Sequence, residues 1–155
     1  MKGPRNNNTP TPPKRTRKKV LQPVGDPDDP RGFWHLMQKH VKWLAVHNYS
    51  EYTIETRQVY IRAFLVWAHD RGLCYPTEVT KPILEAFQQH LFHYRKANGD
   101  PLSWSSQSKH LIDVRMFFEY LAKENHIPFN PASSLQLPKQ PQKLPKAILT
   151  VDEVE

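Results

Sequence analysis

Residues 103–125 read SWSSQSKHLIDVRMFFEYLAKEN and carry the clearest helical pattern of this sequence. Ser103 is a residue type that caps helix starts, and Asn125 tolerates the left-handed backbone that often ends a helix. Apolar side chains recur between them at the three- and four-residue spacing of one helix face: Leu111, Val114, Phe117, Phe118 and Leu121. The stretch therefore predicts a long amphipathic helix with a polar start.

Two segments before it have the same periodicity. The first follows Pro30 and ends near Asn48, with an apolar face at Phe33, Leu36, Met37, Val41, Leu44 and Ala45. The second begins at a capping Ser50 and stops at Gly72. Its apolar face is Ile61, Phe64, Leu65 and Ala68, with Tyr60 and Trp67 at the edges.

A further helix is expected after Thr80, with Pro82 in its first turn, where a missing N–H costs little. Its inward positions are Ile83, Leu84, Phe87, Leu91 and Tyr94. Asn98-Gly-Asp-Pro101 predicts a turn, and no segment alternates like a strand. We therefore expect an all-α fold, a compact four-helix bundle.

Proline and charge divide the chain. Seven of the 15 prolines lie in residues 1–30 and five in 127–155, and segments so rich in proline rarely order themselves. We expect a disordered basic arm over 1–29, a helical domain over 30–137, and a linker over 138–155 that leads into a further domain. Thr150-Val-Asp-Glu153 resembles a capping box, which predicts a helix beginning at that point.

The formal net charge is +7, and the first 25 residues account for all of it, with seven lysines and arginines and no acid. Five lie together: Lys14, Arg15, Arg17, Lys18 and Lys19. Such an arm attracts polyanions through a salt-sensitive, sequence-independent term. A nuclear-import address and a solubilising tail are the alternatives.

The single cysteine, Cys74, excludes a disulfide framework and a cysteine-based zinc site, which fits a reducing compartment. No apolar run approaches the roughly 20 residues that a bilayer requires. We expect a cytoplasmic protein with no membrane contact.

Three stretches together resemble the N-terminal core-binding domain of tyrosine recombinases, the phage integrase and Xer-like family. The second helix of that domain is similar to Ser50-Glu-Tyr-Thr-Ile, Ile61-Arg-Ala-Phe64, Trp67-Ala and Arg71-Gly72. Its fourth helix is similar to Val114-Arg-Met-Phe-Phe-Glu-Tyr-Leu121. The exit and linker are similar to Asn130-Pro131, Leu137-Pro138-Lys139, Leu144-Pro145-Lys146 and Leu149-Thr150.

The resemblance covers residues 33–155 and implies a SAM-like fold that clamps duplex DNA at a recombination site, with neighbouring protomers as further partners. It also implies a bacterial or phage protein associated with the nucleoid. The family's catalytic tyrosine, arginines and lysine belong to a second domain, so we expect them beyond residue 155 and expect no catalysis within this chain. In many relatives an aromatic residue stands four positions after Thr53, where this chain has Arg57. Either the helix is rotated slightly, or Arg57 reaches toward phosphate.

The candidate DNA contacts lie at two helix starts, where small hydroxyl side chains let the backbone approach DNA and cations meet phosphates. Helical geometry places Ser105 and Lys109 more than roughly 140° from the centre of the apolar stripe on the last helix. The resemblance points to the same two starts. We predict DNA contacts from Thr53, Thr56, Arg57, Ser105, Ser106 and Lys109, with phosphate contacts from the basic arm.

Other functions receive less support. The same serines and threonines also serve as ordinary helix caps, and Lys109 as a solvated lysine. His90 with His93, and His35 with His40, lack acidic or cysteine partners at metal spacing, so we expect no metal site and no cofactor. No nucleophile elbow is present. The competing hypothesis is a helical protein-interaction module with a basic tail.

Overall fold

The structure is a computed structural model of the chain, and it describes Gly3 and residues 20–141. This part of the chain forms four α-helices and one short 3₁₀ turn over Pro76–Glu78. The helices are α1 (Phe33–Val46), α2 (Glu51–Asp70), α3 (Lys81–His93) and α4 (Trp104–Lys123). Over these residues no strand forms, and an isolated bridge joins Arg95 to Pro101 beside the predicted turn. The all-α prediction is confirmed.

Local chemistry sets the helix ends. The Ser50 hydroxyl accepts the Thr53 backbone N–H at 3.2 Å, and the Ser103 hydroxyl accepts that of Ser106 at 3.1 Å. Gly72 adopts a φ of +79°, which L side chains rarely tolerate, and so ends α2. Thr80 precedes α3, but its side chain makes no capping hydrogen bond.

The core is an aromatic cluster around Phe64, which is fully buried. Its ring meets Phe87 edge-on at 5.0 Å between centroids and Phe118 at 5.8 Å, so it joins α2 to α3 and α4. Phe33 of α1 lies 6.1 Å away in a similar edge-on arrangement. Edge-to-face pairs of this kind add to the stabilisation from burial alone. All five apolar residues predicted for the fourth helix face are buried.

Three predicted core positions were wrong. Ala45 is exposed and Val41 is only half-buried, although Trp34, two turns before Val41 on the same side of α1, is buried. The rest of the fold covers this side of α1 near the start of the helix and less near its end. Tyr94 is 46% exposed. The reason is that α3 ends at His93, so the backbone is already extended at Tyr94 and carries its side chain away from the helix face.

Both flanks of the bundle pack against it. Leu21 and Val24 contact the core, and the Arg62 Nε donates to the Gln22 carbonyl at 3.0 Å. At the other end the Trp104 indole N–H donates to the Pro138 carbonyl at 2.8 Å. Packing therefore extends beyond 30 and 137 on both sides, and the domain limits stay predictions. The five basic arm residues and the capping box at 150–153 lie outside the described residues.

Candidate nucleic-acid interface

The N-terminal halves of α2 and α4 pack against each other. The Tyr60 ring meets the His110 ring edge-on at 4.4 Å, and the Arg57 Nε lies 3.6 Å from the Asp113 Oδ1. These contacts join the first three turns of α2 to the first three turns of α4. The structure thus brings together the two polar helix starts that sequence analysis selected.

At the start of α2, both candidate threonines are half-buried and already hydrogen-bonded. The Thr53 hydroxyl accepts from the Ser50 hydroxyl at 2.8 Å, so its own proton stays available to an acceptor such as a phosphate oxygen. The Thr56 hydroxyl donates to the Tyr52 carbonyl at 2.7 Å. Because its proton is used, Thr56 is better suited to accept a hydrogen bond, for example from a base amino group.

Arg57 differs from the other candidates because its side chain is only 10% exposed. It pairs with Asp113 and lies 5.5 Å from the centroid of the Tyr49 ring. The sequence left two alternatives for Arg57, a slight rotation of the helix or an outward reach toward phosphate. The structure does not show the outward reach. The arginine side chain points into the bundle and is paired there with Asp113.

At the start of α4, Ser105 and Lys109 are exposed and Ser106 is half-buried. The first turn of α4 contains no acidic residue, whereas α2 opens with Glu51. Because the N-terminal end of a helix carries partial positive charge, an anion is more favourable at the start of α4 than beside Glu51.

Lys109 of α4 lies close to side chains near the start of α2. Its ammonium lies 6.0 Å from the centroid of the Tyr52 ring and 5.9 Å from that of Tyr60, both on α2. Asp113 follows one turn later on α4, and burial raises the pKa of its carboxyl while Arg57 and Lys109 lower it in part. Tyr52, Tyr60 and Asp113 were not predicted as neighbours of Lys109. The spacing of Tyr52, Thr56 and Tyr60 at four-residue intervals is the signal that indicates a shared face.

The histidines form no metal site in the part of the chain that the structure describes, where no group of three possible ligands occurs. His90 and His93 are exposed, while His40 is buried against Tyr120 and Phe117. Burial lowers the pKa of His40 to about 4, with a smaller contribution from the nearby Arg57. None of the helices in the described residues combines the length and the apolar character of a membrane-spanning segment.

The fold and this site define a small all-α domain with two adjoining polar helix starts. Residues 36–127 match the family described as phage integrase, N-terminal SAM-like domain. The matched residues are more than half of the chain. The chain belongs to this family, the N-terminal domains of tyrosine recombinases and phage integrases.

Individual relatives agree with that assignment. Tyrosine recombinase XerC 2 of Ralstonia nicotianae is 50% identical over 119 residues, covering 77% of this chain and 34% of that protein. Tyrosine recombinase XerC of Xylella fastidiosa strain M23 is 31% identical over 104 residues, covering 67% and 33%. The chain spans about a third of the length of these relatives.

A solved structure supports the fold alone. It is the crystal structure of the N-terminal domain of a phage integrase/site-specific recombinase from Haloarcula marismortui. Its TM-score is 0.58 at 14% sequence identity, and the match covers 76% of this chain and all of that one.

Proposed function

We propose that this chain is the DNA-binding domain of a site-specific tyrosine recombinase and holds duplex DNA at a recombination site. The observation that carries the proposal is the meeting of two polar helix starts on one side of the bundle, in a chain of the integrase N-terminal family. Helix starts of this kind fit the major groove, where backbone N–H groups and short hydroxyl side chains approach phosphates and base edges.

The candidate residues divide by chemistry. Lys109 and the start of α4, with Ser105 and Ser106, are suited to phosphate oxygens. Thr56 is suited to a base amino group, and Thr53 to either kind of partner. Arg57 is not needed as a direct contact and supports the two helices from inside.

General affinity for DNA would come from the basic arm. Residues 20–141 carry thirteen lysines and arginines against twelve acids, so the described domain is nearly neutral. The contacts of Lys14, Arg15, Arg17, Lys18 and Lys19 would add salt-dependent affinity that is independent of DNA sequence.

Strand cleavage and rejoining would be the work of a catalytic domain outside this chain, as in a whole recombinase. Neighbouring protomers on the same DNA and a location at the cytoplasmic nucleoid belong to the same proposal. They rest on the family alone.

The test is a titration of the ¹⁵N-labelled 155-residue chain with duplex DNA at moderate salt, together with anisotropy measurements of the dissociation constant. We expect shifts centred on residues 53–57 and 105–109. Lys109→Ala should weaken binding and lower the slope of log K against log salt by about 0.9, the value for one lost phosphate contact. Lys123→Ala removes the same charge from the far end of α4, where Lys123 pairs with Glu119, and should leave binding unchanged.

Shifts confined to the arm would contradict the proposal and favour the alternative, a protein-interaction module with a basic tail. Equal losses from Lys109→Ala and Lys123→Ala would also contradict it, because binding would then depend on total charge and not on these helix starts.

A further inference from the structure

We propose that Tyr52 and Tyr60 are positioning residues that hold the Lys109 ammonium in place for a phosphate of the DNA backbone. The inference rests on the proposed function and adds two side chains to it that contact Lys109 rather than DNA.

The first support is geometric. Tyr52 and Tyr60 lie two turns apart on α2, with Thr56 between them on the same side of the helix. The Lys109 Nζ is almost equidistant from the two rings, at 6.0 Å and 5.9 Å from their centroids. The Lys109 ammonium therefore faces the side of α2 that carries Tyr52, Thr56 and Tyr60. Its distance from each ring is within the range in which cations are attracted to aromatic faces.

The second support is exposure. Tyr52 is 74% exposed, so burial of its ring does not explain its place on this face. Tyr60 is half-buried and held by its edge-on contact with the His110 ring at 4.4 Å. The Tyr60 ring is thus fixed by the bundle, while the Tyr52 ring lies in solvent. The Lys109 ammonium lies between the two rings.

The third support is the buried carboxylate that follows Lys109 by one turn. Asp113 is nearly enclosed, and Arg57 pairs with it on one side. Lys109 is the second cation that acts on this carboxyl and lowers its pKa against the effect of burial. The two rings restrict a lysine side chain that is otherwise flexible over four carbons.

A lysine restricted in this way loses less conformational freedom when it meets a phosphate, which raises affinity without a new contact to DNA. Lys109 is exposed, so its ammonium stays accessible to a ligand from solvent. Phosphate is the ligand chemistry that suits a single cation beside a helix start free of acidic residues.

The test compares dissociation constants for duplex DNA among full-chain variants. Tyr52→Leu should weaken binding by about two- to fivefold, the range of an exposed cation–ring contact, and Tyr52→Phe should bind like the unmodified chain. In a Lys109→Ala background, Tyr52→Leu should have no further effect. Tyr60→Phe should also preserve binding, and it keeps the ring that packs on His110. Tyr94→Leu, which removes an exposed tyrosine from the end of α3, is the matched control.

Normal binding by Tyr52→Leu overturns the inference, as does a loss that persists without Lys109. An equal loss from Tyr52→Phe would show that the hydroxyl, and not the ring, contacts DNA, which also overturns it. If Lys109→Ala weakens binding and Tyr52→Leu does not, this inference alone fails. If Lys109→Ala has no effect, both it and the assigned phosphate contact fail.

Discussion

The Arg57 guanidinium and the Asp113 carboxylate form an ion pair inside the bundle, with 3.6 Å between Nε and Oδ1 and side chains 10% and 8% exposed. The pair joins α2 to α4 directly beneath the two polar helix starts. Burial disfavours the charge on Asp113 and raises the pKa of its carboxyl, which Arg57 opposes. Each charge therefore depends on the other to remain in the interior.

Removing one partner of this pair should destabilise the domain strongly. Asp113→Ala leaves the Arg57 charge buried and unpaired, and we expect a loss of about 3–5 kcal/mol in the free energy of unfolding, measured with urea. The double variant Arg57→Met with Asp113→Leu should recover most of that loss, because it leaves no buried charge. A double variant as unstable as Asp113→Ala would show that packing, and not charge, is the main contribution at this position.

Phe64 is the central side chain of the core, since it meets rings from the other three helices. Phe64→Ala should cost about 3–5 kcal/mol, a large part of the total stability of a domain this size. Phe64→Leu should cost less and stay folded. Val59→Ala, at a position of α2 that is 52% exposed, should change stability by less than about 0.5 kcal/mol. Similar losses at the two positions would contradict the observed packing.

Stability should fall as the pH is lowered from 6.5 toward 4. Burial, with a smaller effect of Arg57, lowers the pKa of His40 from 6.5 to about 4. Because the folded pKa lies below the unfolded one, the contribution of His40 is complete above pH 6.5 and is lost as the pH falls through 4. At about 1.4 kcal/mol for each unit, the loss is about 3 kcal/mol. The pKa of the half-buried His110 is also lowered to about 4, so this residue adds to the same loss.

The measurement is urea unfolding at pH 7 and at pH 4.5 for the unmodified chain and for His40→Leu. The variant should lose less stability between the two pH values, while His93→Leu, at an exposed position of α3, should behave like the unmodified chain. An unchanged pH dependence in His40→Leu would show that the pKa of His40 is the same in the folded and unfolded states.

The segment that leaves the bundle is held by Trp104. Its indole N–H donates to the Pro138 carbonyl at 2.8 Å, and the Gln88 side chain donates to the Gln136 carbonyl at 3.0 Å. Trp104→Phe should cost only about 0.5–1.5 kcal/mol overall, because one hydrogen bond is lost. The same substitution should increase trypsin cleavage after Lys139, which is measured by mass spectrometry. Trp43→Phe is the control, and equal cleavage in both variants would show that Trp104 does not retain the segment.

The helices were predictable because their signals are local. Ser50 and Ser103 cap α2 and α4, and Gly72 and Asn125 adopt positive φ values at or just after helix ends. A cap or a positive φ depends on residues within one turn, so a sequence pattern contains it. Ala45 and Tyr94 failed as core positions because their burial depends on where a helix ends and what packs beside it.

The sequence alone therefore determined that this protein is a four-helix domain of the integrase family type, with polar starts at α2 and α4. Only the tertiary structure decided that Arg57 lies inside against Asp113, and that Lys109 lies between Tyr52 and Tyr60. These partners are roughly 50 residues apart along the chain. Their meeting depends on how one helix packs against another, which the periodicity of a single helix does not specify.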